Sequence, residues 1–135
     1  MPPPTGPYFF YGSLCSPTFL AEVLDLPPSP PPILRPAKIS SFSLRLWGQY
    51  PALVEGPAEA VVEGLVYDVS SEVDGLRLAQ YETMAYRAVT CTITYTDGES
   101  PGECEGTVFL FVGRQRDLHD GVFDLKEWLR SIGRD

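Results

Sequence analysis

The chain has 135 residues, 44% of them hydrophobic and 21% charged, a composition that fits one folded domain and excludes a disordered chain. A net charge of −8 at pH 7 excludes recognition of a nucleic-acid backbone, which needs clustered Lys and Arg. No apolar run approaches the roughly 20 residues of a membrane-spanning helix, so no membrane association is expected.

One domain is expected over residues 1–135, with a proline-rich leader at 1–7. The leader, "MPPPTGP", has neither a basic segment nor an apolar core of useful length, so it does not read as a secretory signal and the cytosol is the default location. "YFFYGSL" follows, a charge-free aromatic strand running into a Gly-Ser turn at Tyr11 to Leu14. "SPTFLAEVLDL" then predicts a helix with Ser16 as N-cap and Pro17 at the first helical position. The segment "PPSPPP", Pro27 to Pro32, predicts a stiff extended connector; a proline-rich ligand for a partner domain is the alternative.

Period-two alternation dominates the middle of the chain. "KISSFSLRLW" predicts a strand with Phe42, Leu44 and Leu46 on one face. "WGQYPALVEG" predicts a kinked apolar link in which Trp47, Tyr50 and Pro51 either pack a hairpin or wall a pocket. "AVVEGLVYDV" predicts a strand covered on both faces, with Val61, Leu65, Tyr67 and Val69 opposite Val62, Gly64 and Val66. "SSEVDGLRLAQYE" predicts a helix capped by Ser70 or Ser71, with Val73, Leu76 and Gln80 on one face. "YRAVTCTITYT" sets Val89, Cys91, Ile93 and Tyr95 against three threonines. With "CEGTVFLFV", and "DGESPGE" between them, it predicts an antiparallel hairpin. His119 and Asp120 read as loop. "FDLKEWLRSIG" predicts a last helix with Asp124 and Glu127 at capping-box spacing and Gly133 as its stop. The sum is an α+β domain: a mostly antiparallel, barrel-like sheet of about five or six strands with three short helices.

Three features bear on chemistry. The Tyr11–Leu14 turn leads a strand into a helix start, where several backbone N–H groups can converge on a carboxylate or carbonyl oxygen; a plain turn is the alternative. Glu82 closes the predicted second helix, where the negative end of the helix dipole raises its pKa slightly and burial in a cleft would raise it further. That would bring it into the range useful for acid–base work near neutrality, and a solvated surface carboxylate is the alternative. Tyr86 and Arg87 open the next strand on opposite faces, so one of them lines whatever Glu82 faces. Cys15, Cys91 and Cys104 fit neither a disulfide framework nor a CxxC metal pair, Cys91 reads as a buried thiol, and a single histidine makes no His-rich metal site.

Taken in order, "FFYGSL", "YPALV", "VEGLVYDV" and "YETMAYRAV" resemble the γ-glutamylcyclotransferase-like family, specifically its small AIG-type branch, from about Tyr8 to Val112. The resemblance implies a small fold on a barrel-like antiparallel sheet and a cofactor-independent enzyme without a metal. Its substrate would be a γ-glutamyl amine or dipeptide, whose α-amine attacks its own γ-carbonyl and releases 5-oxoproline. It makes Glu82 the general acid/base and gives the γ-glutamyl head to Tyr11, Gly12, Ser13 and Leu14; Tyr50 and Tyr86 complete the expected substrate-binding set. The chain departs from the family's pattern around Glu82, where Leu78, Ala79 and Gln80 precede and Thr83 follows, and at Cys15 and Ser16 after the turn. A non-catalytic domain that keeps the pocket for a small metabolite or a protein is the alternative function. Loops near Gln49–Pro57 and Gly113–Gly121 are expected to set the pocket's depth. The sequence does not give the oligomeric state.

Overall fold

The structure, a computed structural model, describes residues 4–27 and 29–134. Strand β1 (Gly6–Phe10) enters a single 3-10 turn (Ser13–Cys15) and helix α1 (Pro17–Val23). Strands β2 (Arg35–Ser40), β3 (Phe42–Trp47), β4 (Tyr50–Glu55) and β5 (Val61–Val69) precede α2 (Glu72–Glu82). Then come β6 (Tyr86–Tyr95), β7 (Glu103–Phe111), the short β8 (Leu118–His119) and α3 (Leu125–Ser131).

Five strands close a barrel in the order β1-β5-β2-β6-β7. Every neighbouring pair is antiparallel except β1 with β7, which is parallel. The remaining strands form a small separate sheet, β4-β3-β8. The α+β reading and the barrel-like sheet of about five or six strands therefore hold, with five strands in the barrel and a further small sheet of three beside it. "KISSFSLRLW" is two strands: Ser41 takes φ 70° and breaks the run, so β2 stays in the barrel while β3 leaves it. The stretch after Gln49 is strand β4, not loop. His119 pairs with Leu46 in β8, where a loop was expected. Gly6 and Pro7, in the predicted leader, already pair with Val69 and Asp68; residues 1–3 of it lie outside the described residues. So does Pro28 within the expected connector, and the described parts of that segment are neither helix nor strand.

The aromatic opening is explained by two cores. Phe9 points into the barrel with Ile39, Val62, Val66, Ile93 and Val108. Tyr8 and Phe10, on the other face of β1, pack under the helices with Leu20, Leu24, Leu78 and Phe109. A strand buried on both sides has no place for a charge. Gly64 lets β1 approach β5, because a Cβ there would lie 2.7 Å from the Phe9 ring. Cys91 and Ile93 face inward as the alternation predicts, and Cys91 is a buried free thiol.

The helix starts are as predicted. The Ser16 hydroxyl accepts from Phe19 N–H, Ser71 from Asp74 N–H, and the Asp124 carboxylate from Glu127 N–H. The predicted face of α2 is not. Val73 and Leu76 are 56% and 48% exposed, and the helix buries Asp74, Gly75 and Leu78 instead. This turn of the helix is decisive for the site, since Leu78 and Glu82 are four residues apart and share a face. Among the described residues, no helix is long and apolar enough to cross a membrane.

Candidate active site

β1 ends at Phe10, and the chain turns at Gly12 into the 3-10 turn. The Cys15 N–H donates to Gly12 O at 3.0 Å and the Ser16 N–H to Ser13 O at 3.2 Å. The amides of Gly12, Ser13 and Leu14 precede the first turn bond, and among the described residues they have no backbone acceptor. A Cβ on Gly12 would sit 2.7 Å from Pro51 Cγ. The glycine is therefore required by the close approach of β4.

The residues of this turn border a cavity of about 240 Å³. All seven sequence-predicted site residues line it: Tyr11, Gly12, Ser13, Leu14, Tyr50, Glu82 and Tyr86. Trp47 and Pro51 also line it, so the kinked link serves as pocket wall as well as hairpin packing. Of the lining residues Tyr50 is 41% exposed, whereas Leu14 and Phe109 are buried. Tyr86 faces the cavity and Arg87 is exposed, which resolves the pair as their alternation required.

Glu82 brings the cavity's one formal charge. It sits on the last turn of α2, and Thr83, at φ 68°, ends the helix. Burial raises the carboxyl to about 7, because the surrounding aromatic wall solvates the anion poorly. Some surface still reaches solvent through the mouth. Tyr86 donates its hydroxyl to Pro51 O at 2.9 Å, and Tyr11 donates to Phe109 O at 2.5 Å. Burial, with Glu82 nearby, raises both phenols, so they stay neutral. The site thus combines one titratable carboxyl, the backbone of a turn at a 3-10 start and a neutral aromatic wall. It is equipped to hold an acceptor oxygen and to move a proton beside it.

The chain matches the model of the family described as "Gamma-glutamyl cyclotransferase, AIG2-like" over residues 8–130. It belongs to that family. The fold of this cyclotransferase family recurs in solved structures. A protein of Arabidopsis thaliana is 24% identical, with 94% of this chain and 82% of the other covered and a TM-score of 0.69. An AIG2-like protein of Mus musculus is 16% identical, covering 90% and 86%, at 0.63. A gamma-glutamyl cyclotransferase specific to glutathione from yeast is 16% identical, covering 96% and 86%, at 0.60. At these identities the likeness is one of fold. No match was found among curated protein sequences.

Sequence reasoning missed one residue that lines this cavity and one that packs against its wall. Tyr81 lines the cavity beside Glu82, and its hydroxyl lies 2.6 Å from Ser13 Oγ. Trp128 of α3 is buried and packs edge-on against Phe19 at 5.0 Å and against Tyr50 at 6.5 Å. Tyr81 lies three residues after Leu78, so a correct helical face would have found it. Nothing local marks Trp128, which reaches the site from a helix more than 40 residues later in the chain.

Proposed function

We propose that this protein is a cyclotransferase that converts a γ-glutamyl amine or dipeptide into 5-oxoproline and a free amine, with Glu82 as general acid/base. One observation carries the reading: Glu82 and the turn residues Gly12 to Leu14 line the same small cavity. The amides and the turn hold the γ-glutamyl head. That places the substrate's α-nitrogen within reach of its own γ-carbonyl, and ring closure needs little beyond this positioning and a proton carrier.

Glu82 in its carboxylate form takes a proton from the α-ammonium and frees the lone pair. The α-nitrogen attacks the γ-carbonyl carbon, forming the ring C–N bond. The original amide C–N bond breaks as its nitrogen receives a proton from Glu82. The α-nitrogen sheds two protons in becoming a lactam N–H, and the departing nitrogen gains two in leaving as an ammonium, so the reaction balances without an added reagent. A carboxyl near 7 facing an α-amine of about 8 can exchange the proton in both directions. The aromatic wall at Trp47 and Tyr50 receives the departing group.

The test is incubation with a panel of γ-glutamyl amines and dipeptides, followed by assay for 5-oxoproline. Product is expected from wild type, and Glu82→Gln should lower it by about a hundredfold or more. Equal product from both proteins would remove Glu82 from the chemistry, and no product across the panel would remove the activity.

A further inference from the structure

The hydroxyls around the cavity differ in what they have left to offer. A phenol has one proton to donate. Tyr11 gives its proton to Phe109 O and Tyr86 gives its own to Pro51 O, so both are committed to the wall. Ser13 Oγ and Tyr81 Oη are bonded to each other at 2.6 Å, and among the described residues neither has another partner. Two hydroxyls joined this way use one proton between them and retain one. Whichever of the two donates, one O–H remains and needs an acceptor.

That remaining proton belongs to a pair whose residues line the cavity beside Gly12 and Leu14. No Lys, Arg or His is among the described residues that line it. An anionic group bound here must therefore be held by neutral donors, and each donor matters more in an apolar enclosure than it would in water. The Tyr81 ring is fixed by an edge contact with Phe19, 5.5 Å between centroids, so its hydroxyl is held in place before any ligand arrives.

We propose that the Ser13–Tyr81 hydroxyl pair binds the α-carboxylate of the substrate's γ-glutamyl head, which makes Tyr81 a substrate-binding residue. The inference rests on the cyclotransferase reading above and adds to it a side-chain donor for the head. It also explains how one small cavity accommodates two carboxylates. Tyr81 and the turn take the substrate's carboxylate, Glu82 stands at the next position of α2, and the substrate's α-ammonium, carried on the same carbon as its carboxylate, lies toward Glu82.

The test uses two matched amides of the same amine: a γ-glutamyl amide, and the 4-aminobutyryl amide that lacks only the α-carboxylate and can still close a lactam. Wild type should favour the first. Ser13→Ala combined with Tyr81→Phe, which removes both hydroxyls and keeps the ring and the Phe19 contact, should reduce kcat/KM for the γ-glutamyl amide about tenfold or more, mainly through KM, while changing the 4-aminobutyryl amide less than about twofold. Tyr81→Phe alone should lose less, because it leaves the Ser13 O–H free to donate. A parallel fall on both amides, or no fall on either, overturns the proposal. If wild type forms no lactam at all, the cyclotransferase reading fails, and calorimetric binding of the two amides decides the pair separately. Tighter binding of the carboxylate-bearing amide that the double variant abolishes supports it, and equal or undetectable binding of both overturns it.

Discussion

At the residue scale, the chemistry depends on how Glu82 titrates. The proposed base must be deprotonated to accept a proton, and burial raises its carboxyl to about 7. In the free enzyme, kcat/KM should therefore rise with pH through an apparent pKa near 7, well above an ordinary glutamate at about 4.3. A pH–rate profile from pH 5 to 9 checks this, and a flat profile between 6 and 8 would contradict it. Gly12 carries a second prediction. Its missing Cβ is replaced in space by Pro51 Cγ, 2.7 Å from where the Cβ would be. Gly12→Ala should cost about 1–3 kcal/mol by overpacking and reduce turnover by moving the turn. Adding Pro51→Ala, which removes the obstructing carbon, should recover part of the lost stability in denaturant melts.

At the scale of elements, α2 shows both what the sequence discloses and where it misleads. Its cap at Ser71 and its end at Glu82 are legible, because a side chain that closes a backbone N–H is a local event. Its buried face is not, because Val73 and Leu76 are the apolar residues a periodicity count selects, whereas the barrel leaves them outside and buries Asp74, Gly75 and Leu78. Leu78→Ala, at a fully buried position, should cost about 2–5 kcal/mol. Leu76→Ala, at a half-exposed one, should stay below about 1 kcal/mol; reversed magnitudes in urea melts would restore the periodicity reading. The strands follow the same division. The alternation of Cys91 and Ile93 is printed in the sequence, but the break at Ser41 depends on a left-handed backbone that a serine does not advertise. Motif order brought Tyr11 to Leu14, Tyr50, Glu82 and Tyr86 together in advance. Tyr81 and Trp128 were invisible because their places depend on how helices dock, which no local pattern records.

At the scale of the whole molecule, the barrel holds the site by closing through β1, the strand that delivers the turn. β1 pairs with β5 on one side and with β7 on the other, so the turn's position is fixed from both edges. Such a frame can hold a poorly solvated carboxyl at some expense to stability, and the sign of that expense is testable. The carboxyl is raised in the folded state to about 7 from its ordinary value of 4.5. Below pH 4.5 it is protonated both folded and unfolded and contributes nothing. As pH rises through 7 the folded protein must carry a charge that the unfolded chain solvates better, so stability is lost across this window. A displacement of this size corresponds to about 3 kcal/mol above pH 7, an upper figure because the residue retains some solvent access. Glu82→Gln removes the charge and keeps the shape. Thermal melts should therefore show the variant more stable than wild type at pH 8, with the gap shrinking toward zero near pH 4.5. A gap independent of pH would mean that the carboxyl is not held above its ordinary range. Taken with an absence of product, it would leave Glu82 a surface carboxylate after all.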